Sequence, residues 1–168
     1  MSKEMSAAAY YSSEIEKNPV LSVEEERALV LEYLKYKSGQ KKDNAREKLI
    51  KSNFRLVIKI AYSYKGLGLP VEDMISEGSI GLMKAVEKYD ITKKTRFSYY
   101  ASLWIRQSIT RALSNKAKVI RIPHGLINKC LKLRKECEAL EEELGREPTH
   151  DELSKKSKIP AKKIKKIL

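Results

Sequence analysis

The sequence predicts an all-α protein. Three observations carry the prediction. The 168 residues include only seven Gly and five Pro, so few positions interrupt a helix. Two capping boxes, Ser22-Val23-Glu24-Glu25 and Thr149-His150-Asp151-Glu152, mark helix starts. In each, the first and fourth side chains satisfy backbone N–H groups that a helix leaves unpaired. No stretch alternates apolar and polar residues as a half-buried strand would.

The elements follow in order. The first capping box opens an amphipathic helix that runs to about Tyr36. Residues 38–43 are polar, include a glycine and read as a loop. Residues 44–65 carry Leu49, Ile50, Phe54, Leu56, Val57, Ile58, Ile60 and Ala61, apolar over more than one face, which predicts a single central helix. Gly66-Leu67-Gly68-Leu69-Pro70 ends it. Pro70 suits a helix start, and Glu72 and Asp73 suit the positive end of the helix dipole. That third helix reaches about Tyr89. A turn over 90–95 leads to a helix over 96–116, and Ile120-Arg121-Ile122-Pro123 breaks the chain again. A helix over 124–144 ends at Gly145. Two short helices follow, one opened by the second capping box and one after Ile159-Pro160. Together they resemble half of a helical hairpin unit.

This length fits one domain, or one domain with a small appendage. Apolar residues, 42% of the chain, suffice for a core and exclude a disordered polyampholyte despite 34% charged residues. Residues 1–16 hold no apolar leader core, and no apolar run approaches the ~18 residues that span a membrane. Cys130 and Cys137 are the only cysteines. On one helix they lie about 10 Å apart by helical rise, too far for a disulfide. The thiols are therefore expected to be reduced and the location cytoplasmic. His124 and His150 add no metal-ligand spacing, and no cofactor is expected.

Charge is concentrated. Residues 91–135 hold twelve Lys or Arg and no Asp or Glu. The rest of the chain is nearly balanced, at 23 basic against 22 acidic residues, so almost all of the net +13 lies in this stretch. Phe97, Tyr99, Tyr100 and Trp104 are set among these charges. Cations attract phosphates without regard to sequence, and rings give unstacked bases a platform. The combination points to nucleic acid, partly single-stranded. A solvated basic face is the alternative, but such faces mix in carboxylates and rarely concentrate rings.

At about 100° per residue, residues 97–113 place Ala101, Ile105, Ser108, Ile109 and Ala112 in one core-facing sector. Tyr99, Tyr100, Leu103, Trp104, Gln107, Thr110 and Arg111 fall opposite. Within them Tyr100, Trp104, Gln107 and Arg111 follow the spacing of one stripe. Gln and Thr suit base edges, Arg suits phosphate, and Tyr and Trp suit a displaced base. The preceding helix carries Glu72, Asp73, Glu77 and Glu87 without a nearby His. Acid/base or metal chemistry would need these carboxylates to converge with a His or a second shell, which one helix does not provide. The residues leave open a solvated face or an acidic, partly apolar face (Asp73, Ile75, Glu77, Gly78, Ile80, Leu82) for another protein.

Several runs resemble region 2 of the bacterial sigma-70 family, the promoter-specificity subunits of RNA polymerase. They are Asn53-Phe54-Arg55-Leu56-Val57, residues 73–86 (DMISEGSIGLMKAV) and residues 96–111 (RFSYYASLWIRQSITR). Residues 19–29 look like region 1.2, Ile120-Arg121-Ile122-Pro123 is similar to the junction into region 3, and Leu144-Gly145-Arg146-Glu147-Pro148-Thr149 resembles region 3. The resemblance covers about residues 10–168. It implies region 1.2 plus a region 2 helical bundle over 1–123, then a small, partial region 3 over 124–168. It implies no catalysis.

The resemblance also assigns roles. Asp73, Ile75, Glu77, Gly78, Ile80, Gly81 and Leu82 would bind core RNA polymerase, at the coiled coil of its largest subunit. Phe97, Tyr100 and Trp104 would capture the melted promoter −10 element, Tyr100 stacking on the flipped adenine at −11. Gln107 and Thr110 would read the base pair at −12. Arg106 and Arg111 would hold phosphates, and Lys93, Lys94 and Arg96 the displaced strand. Tyr99, Leu103, Lys116, Lys118 and Arg121 complete the implied DNA-binding set, which meets both double- and single-stranded promoter DNA. An anti-sigma factor is a further kind of partner the family admits. Some positions depart from the family pattern. Leu103 stands where a first Trp is frequent, Thr95 where a Tyr is frequent, and Tyr99 where a Thr is common. In His124-Gly125-Leu126-Ile127-Asn128 the His comes one place early, and Asn128 replaces a Glu of the extended −10 reader. The start of the chain, without a long acidic domain ahead of region 1.2, suggests an alternative, stress-type member. Its end suggests a fragment without region 4.

Overall fold

In the computed structural model, which describes residues 11, 16, 18–93, 95–116 and 124–167 (only the backbone of 124, 166 and 167), the capping box at Ser22 is formed. The Glu25 N–H donates to Ser22 Oγ at 3.2 Å, and the Ser22 N–H donates to the Glu25 carboxylate at 2.8 Å. The bond from the Ser22 N–H, with the Ser22 side chain beside it, holds the Glu25 carboxyl below its ordinary range. They open α1 (Val23–Lys35), which turns Leu29, Val30 and Tyr33 inward.

The single helix predicted over 44–65 is two helices, α2 (Gln40–Ser52) and α3 (Phe54–Tyr62). Its start also lies earlier, inside the polar stretch read as a loop. Gly39, at φ 105°, makes the sharp entry that lets Gln40 begin α2. The break at Asn53 needs no Gly or Pro. Ser52 Oγ donates to the Lys48 carbonyl at 2.8 Å, and Asn53 Nδ2 donates to the Leu49 carbonyl at 2.9 Å. Side chains thus take over carbonyls near the end of α2, and the backbone at Asn53 leaves the helical region.

Helix α4 (Val71–Lys88) begins just after Pro70, as predicted, and a 3₁₀ turn (Ile91–Lys93) leads to α5 (Phe97–Lys116). Leu49, Val57, Met74, Leu82, Phe97, Ile105 and Ile109 form the fully buried centre of this part of the chain. The helices meet most closely at two glycines. A Cβ on Gly81 would stand 2.7 Å from the Trp104 carbonyl oxygen and 3.0 Å from Ile105 Cα. One on Gly78 would stand 2.9 Å from Val57 Cγ1. Helix α4 therefore lies against the backbone of α5, with only the short Ser108 side chain beside the contact at Gly81.

The chain divides into two compact units, Met1–Ala112 and Leu113–Leu168. The division falls near the end of α5, earlier than the 123/124 boundary read from the sequence. In the second unit, α6 (His124–Leu144), α7 (His150–Ser157) and α8 (Ala161–Ile167) pack around Leu133, Leu153 and Ile164, flanked by Cys137, Leu140 and Ile159. Gly145, at φ 66°, closes α6 as predicted. The second capping box is also present: the Thr149 N–H donates to the Glu152 carboxylate at 2.7 Å. Arg146 donates to both Glu152 oxygens at 3.1 and 2.7 Å and, with Thr149, pulls the Glu152 carboxyl down to about 2. Both cysteines are free. Burial raises the Cys137 thiol. Among the described residues there is no strand, and no helix is long and apolar enough to cross a membrane.

Gly81→Ala tests the α4–α5 contact. The added methyl meets backbone, so the helices must separate, at a cost of about 1–3 kcal/mol. A urea titration of the helical signal should show the midpoint falling. An unchanged midpoint would mean that the helices are not held this close.

Candidate nucleic-acid interface

The N-terminus of α5 is fixed from a distant part of the chain. The backbone N–H of Phe97 donates at 3.1 Å to a carboxylate oxygen of Glu26, a buried residue of α1. A negative charge here satisfies an otherwise unpaired donor and complements the positive end of the helix.

From that point four rings run in series. Phe97 meets Tyr89 edge-on with centroids 5.2 Å apart. Tyr89 lies 5.5 Å from Tyr100, and Tyr100 6.2 Å from Trp104. Phe97 is buried, whereas Tyr100 and Trp104 are half-exposed. The Tyr89 hydroxyl donates to the Thr95 carbonyl, and that of Tyr100 to the Lys88 carbonyl at 3.2 Å. Burial, with the Glu26 charge adding to it, raises the Tyr89 phenol. The Lys88 ammonium sits 4.8 Å from the centroid of the Trp104 ring, a cation–π contact.

The outward face of α5 agrees in part with the wheel. Tyr99 is 64% exposed and Leu103 48% exposed. Arg96, Arg106, Gln107, Arg111 and Lys116 are exposed, as is Lys93 in the preceding turn. Two expected DNA-facing residues are instead buried. Phe97, only 1% exposed, opens α5 directly beneath Tyr89 and offers no free ring face. Thr110 is turned inward, and its hydroxyl donates to the Arg106 carbonyl at 2.6 Å. Lys94, Lys118 and Arg121, with the Ile120–Pro123 junction, lie outside the described residues.

Three other contributions carry no assignment from the sequence. Tyr89 and Lys88, at the end of α4, build the ring series from the side. An aromatic just before the Asp90 turn was the available signal. Lys84 of α4 also joins Trp104, Gln107 and Arg111 around a cleft of about 70 Å³. A groove of about 240 Å³ sets Arg55, Lys59 and Arg96 beside Asn53 and Leu56.

The expected partner surface on α4 also needs correction. Ile75 and Leu82 are buried, and Gly78 and Gly81 are closed by α3 and α5. None of these four can present a contact at the surface. Asp73 is exposed, Glu77 half-exposed and Ile80 42% exposed. Their four- and three-residue spacing makes them one outward stripe. Glu87 is committed elsewhere, to Arg46 of α2 at 2.9 Å. Among the described residues no three His, Cys, Asp or Glu are grouped to hold a metal ion.

The fold and this surface define a helical protein with a cationic, ring-bearing helix set on a close-packed bundle. Residues 49–119 match the family model for sigma-70 region 2, and residues 128–168 that for sigma-70 region 3. The chain belongs to the sigma-70 family. It is 44% identical over 158 residues to the RNA polymerase sigma factor SigA of Clostridium acetobutylicum, a match covering 94% of this chain and 40% of that protein. It is 40% identical over the same length to the SigA proteins of Lactococcus lactis subsp. cremoris and of a Bacillus species, covering 43% and 41% of them. The chain thus spans about two fifths of the length of these relatives.

Two substitutions separate core rings from surface rings. Phe97→Ala should cost about 3–5 kcal/mol of stability, as removal of a fully buried ring does. Tyr99→Ala should stay within about 0.5 kcal/mol. Urea unfolding of both variants measures the difference, and the reverse order would put Phe97 at the surface.

Proposed function

We propose that this chain acts as a sigma factor in transcription initiation: it binds core RNA polymerase and recognises and melts the promoter −10 element. One observation carries the reading. A helix without a single carboxylate presents Tyr100, Trp104, Gln107 and Arg111 along one accessible stripe, above a rigid close-packed bundle. The family membership and the similarity to SigA sigma factors agree with it.

The physical account is one of trapping. Extruding a base costs a few kcal/mol, and each base stacked on an aromatic side chain returns about 1–3 kcal/mol. Tyr100 and Trp104 supply the platforms for non-template-strand bases. Gln107 reads a base edge, and Arg106, Arg111, Lys93 and Arg96 hold phosphates. Phe97 supports Tyr89 and Tyr100 from beneath and does not stack itself. Lys88 covers one face of Trp104, so a base stacking on that face displaces its ammonium towards the adjoining phosphate. No step in this account breaks a covalent bond, and the chain acts as a binding subunit.

Asp73, Glu77 and Ile80 are proposed as the contact with the coiled coil of the polymerase's largest subunit. Residues 1–123 then act as regions 1.2 and 2, and residues 124–168 as part of region 3. Working on DNA with polymerase places the chain in the cytoplasm, at the nucleoid. Regulation by an anti-sigma factor is part of the proposal, with no residue assigned to it.

A labelled −10 non-template oligonucleotide, titrated with this chain and core polymerase, tests the reading by fluorescence anisotropy. Binding should require polymerase and weaken when the −11 adenine is replaced. Binding indifferent to both would leave a general single-strand binder. Tyr100→Ala should lose about 1–3 kcal/mol of that binding, the value of one stacked base. Glu77→Lys should abolish co-purification with core polymerase while the circular dichroism spectrum stays helical. Wild-type co-purification would move the partner surface off this stripe.

A further inference from the structure

We infer that the lysine face of α7 and α8 binds the phosphate backbone of duplex DNA. The observation behind it is a separation of charge within the second unit. Residues 136–152 hold eight carboxylates and one Arg, whereas residues 153–168 hold seven Lys and no carboxylate.

Packing decides which way these lysines point. Leu153, Ser157 and Ile164 are buried, leaving Lys155, Lys158, Lys162, Lys163 and Lys165 exposed. Lys156 pairs with Glu143 of α6 at 2.7 Å. Among the described residues the other five make no ion pair, although carboxylates are plentiful in the same small unit. Helix α6 does use its own, joining Lys132 to Glu136 at 3.7 Å and Arg134 to Glu138 at 3.3 Å. Lysines serving only solubility or helix stability would be interspersed with acids in the same way. Five unpaired cations on two adjoining short helices and the turn between them, where Lys158 lies, repel one another, and a polyanion relieves that repulsion.

The chemistry favours a paired duplex. Lysine is a compact point charge that meets phosphates without a fixed fork geometry. Residues 113–168 contain no Phe, Tyr or Trp, so this face has no platform for an unpaired base. It differs from α5 in that respect and contacts the backbone alone, which is sequence-independent binding. The inference rests on the proposed function only in placing the chain on DNA. It uses none of the side chains assigned there to the −10 element or to polymerase.

The test uses the full 168-residue chain and a short duplex lacking a −10 element, with anisotropy followed across a salt series. Lys162→Glu, Lys163→Glu and Lys165→Glu are combined in one variant. A second variant carries Gln at the same three positions, which removes charge while keeping length and helix propensity. Each lost phosphate contact flattens the dependence of log K on log salt by about 0.9, so both variants should lose about two to three from the slope. Affinity should fall equally for duplexes of different sequence, while single-strand −10 binding with polymerase stays at the wild-type level. An unchanged slope and affinity in both variants would overturn the inference. So would duplex binding that persists while affinity for polyglutamate falls, since the lysines would then belong to a protein contact. Failure of the proposed function would show differently, as single-strand binding that ignores Tyr100→Ala, with the duplex slope still set by α8.

Discussion

The first unit depends on the absence of two side chains. Gly78 and Gly81 let α4 approach α3 and α5 until, at Gly81, only backbone and short side chains separate the helices. That contact fixes the rotation of α5 about its own axis. With Ile105 and Ile109 committed to the core, the opposite face is committed to solvent, and Trp104, Gln107 and Arg111 emerge together. Glu26 fixes the same helix along its axis by holding the Phe97 N–H. The base trapping proposed for this surface gains from both constraints, because a side chain already held in place loses less entropy on binding.

Much of this was legible in the sequence. Both capping boxes, the break before Pro70, the glycine that ends α6 and the charge-biased helix α5 each carry a local signal, and each lies where that signal puts it. The break at Asn53 was not legible. It arises from hydrogen bonds that Ser and Asn make to their own helix, in a stretch whose apolar pattern runs on unbroken. The wheel's outward placement of Thr110 and the DNA-facing role that the resemblance implied for Phe97 failed for local reasons of the same kind. Thr110 satisfies its hydroxyl on a carbonyl four residues back and turns in. Phe97 is the first residue of its helix and is covered by a neighbour from α4.

On α4, motif membership and exposure proved to be different properties. The block resembling a partner-binding region contains an outward stripe, Asp73, Glu77 and Ile80, together with the inward residues that hold that stripe in place. Sequence resemblance cannot separate the two, since both belong to the same run. Tyr89 and Lys88 show the converse. They lie outside the basic helix yet complete its ring series, because the turn after α4 folds them back against α5.

The contact between Lys88 and Trp104 has an optical consequence. Trp104 is the only tryptophan in the chain, and an ammonium group stands 4.8 Å from its centroid. The near-ultraviolet emission of the unmodified protein therefore comes mainly from one indole with one cation above it. Any ligand that moves that cation, or lays a nucleobase against the ring, changes the emission at its source. The molecule carries its own reporter at the centre of the surface that matters most, with no label required.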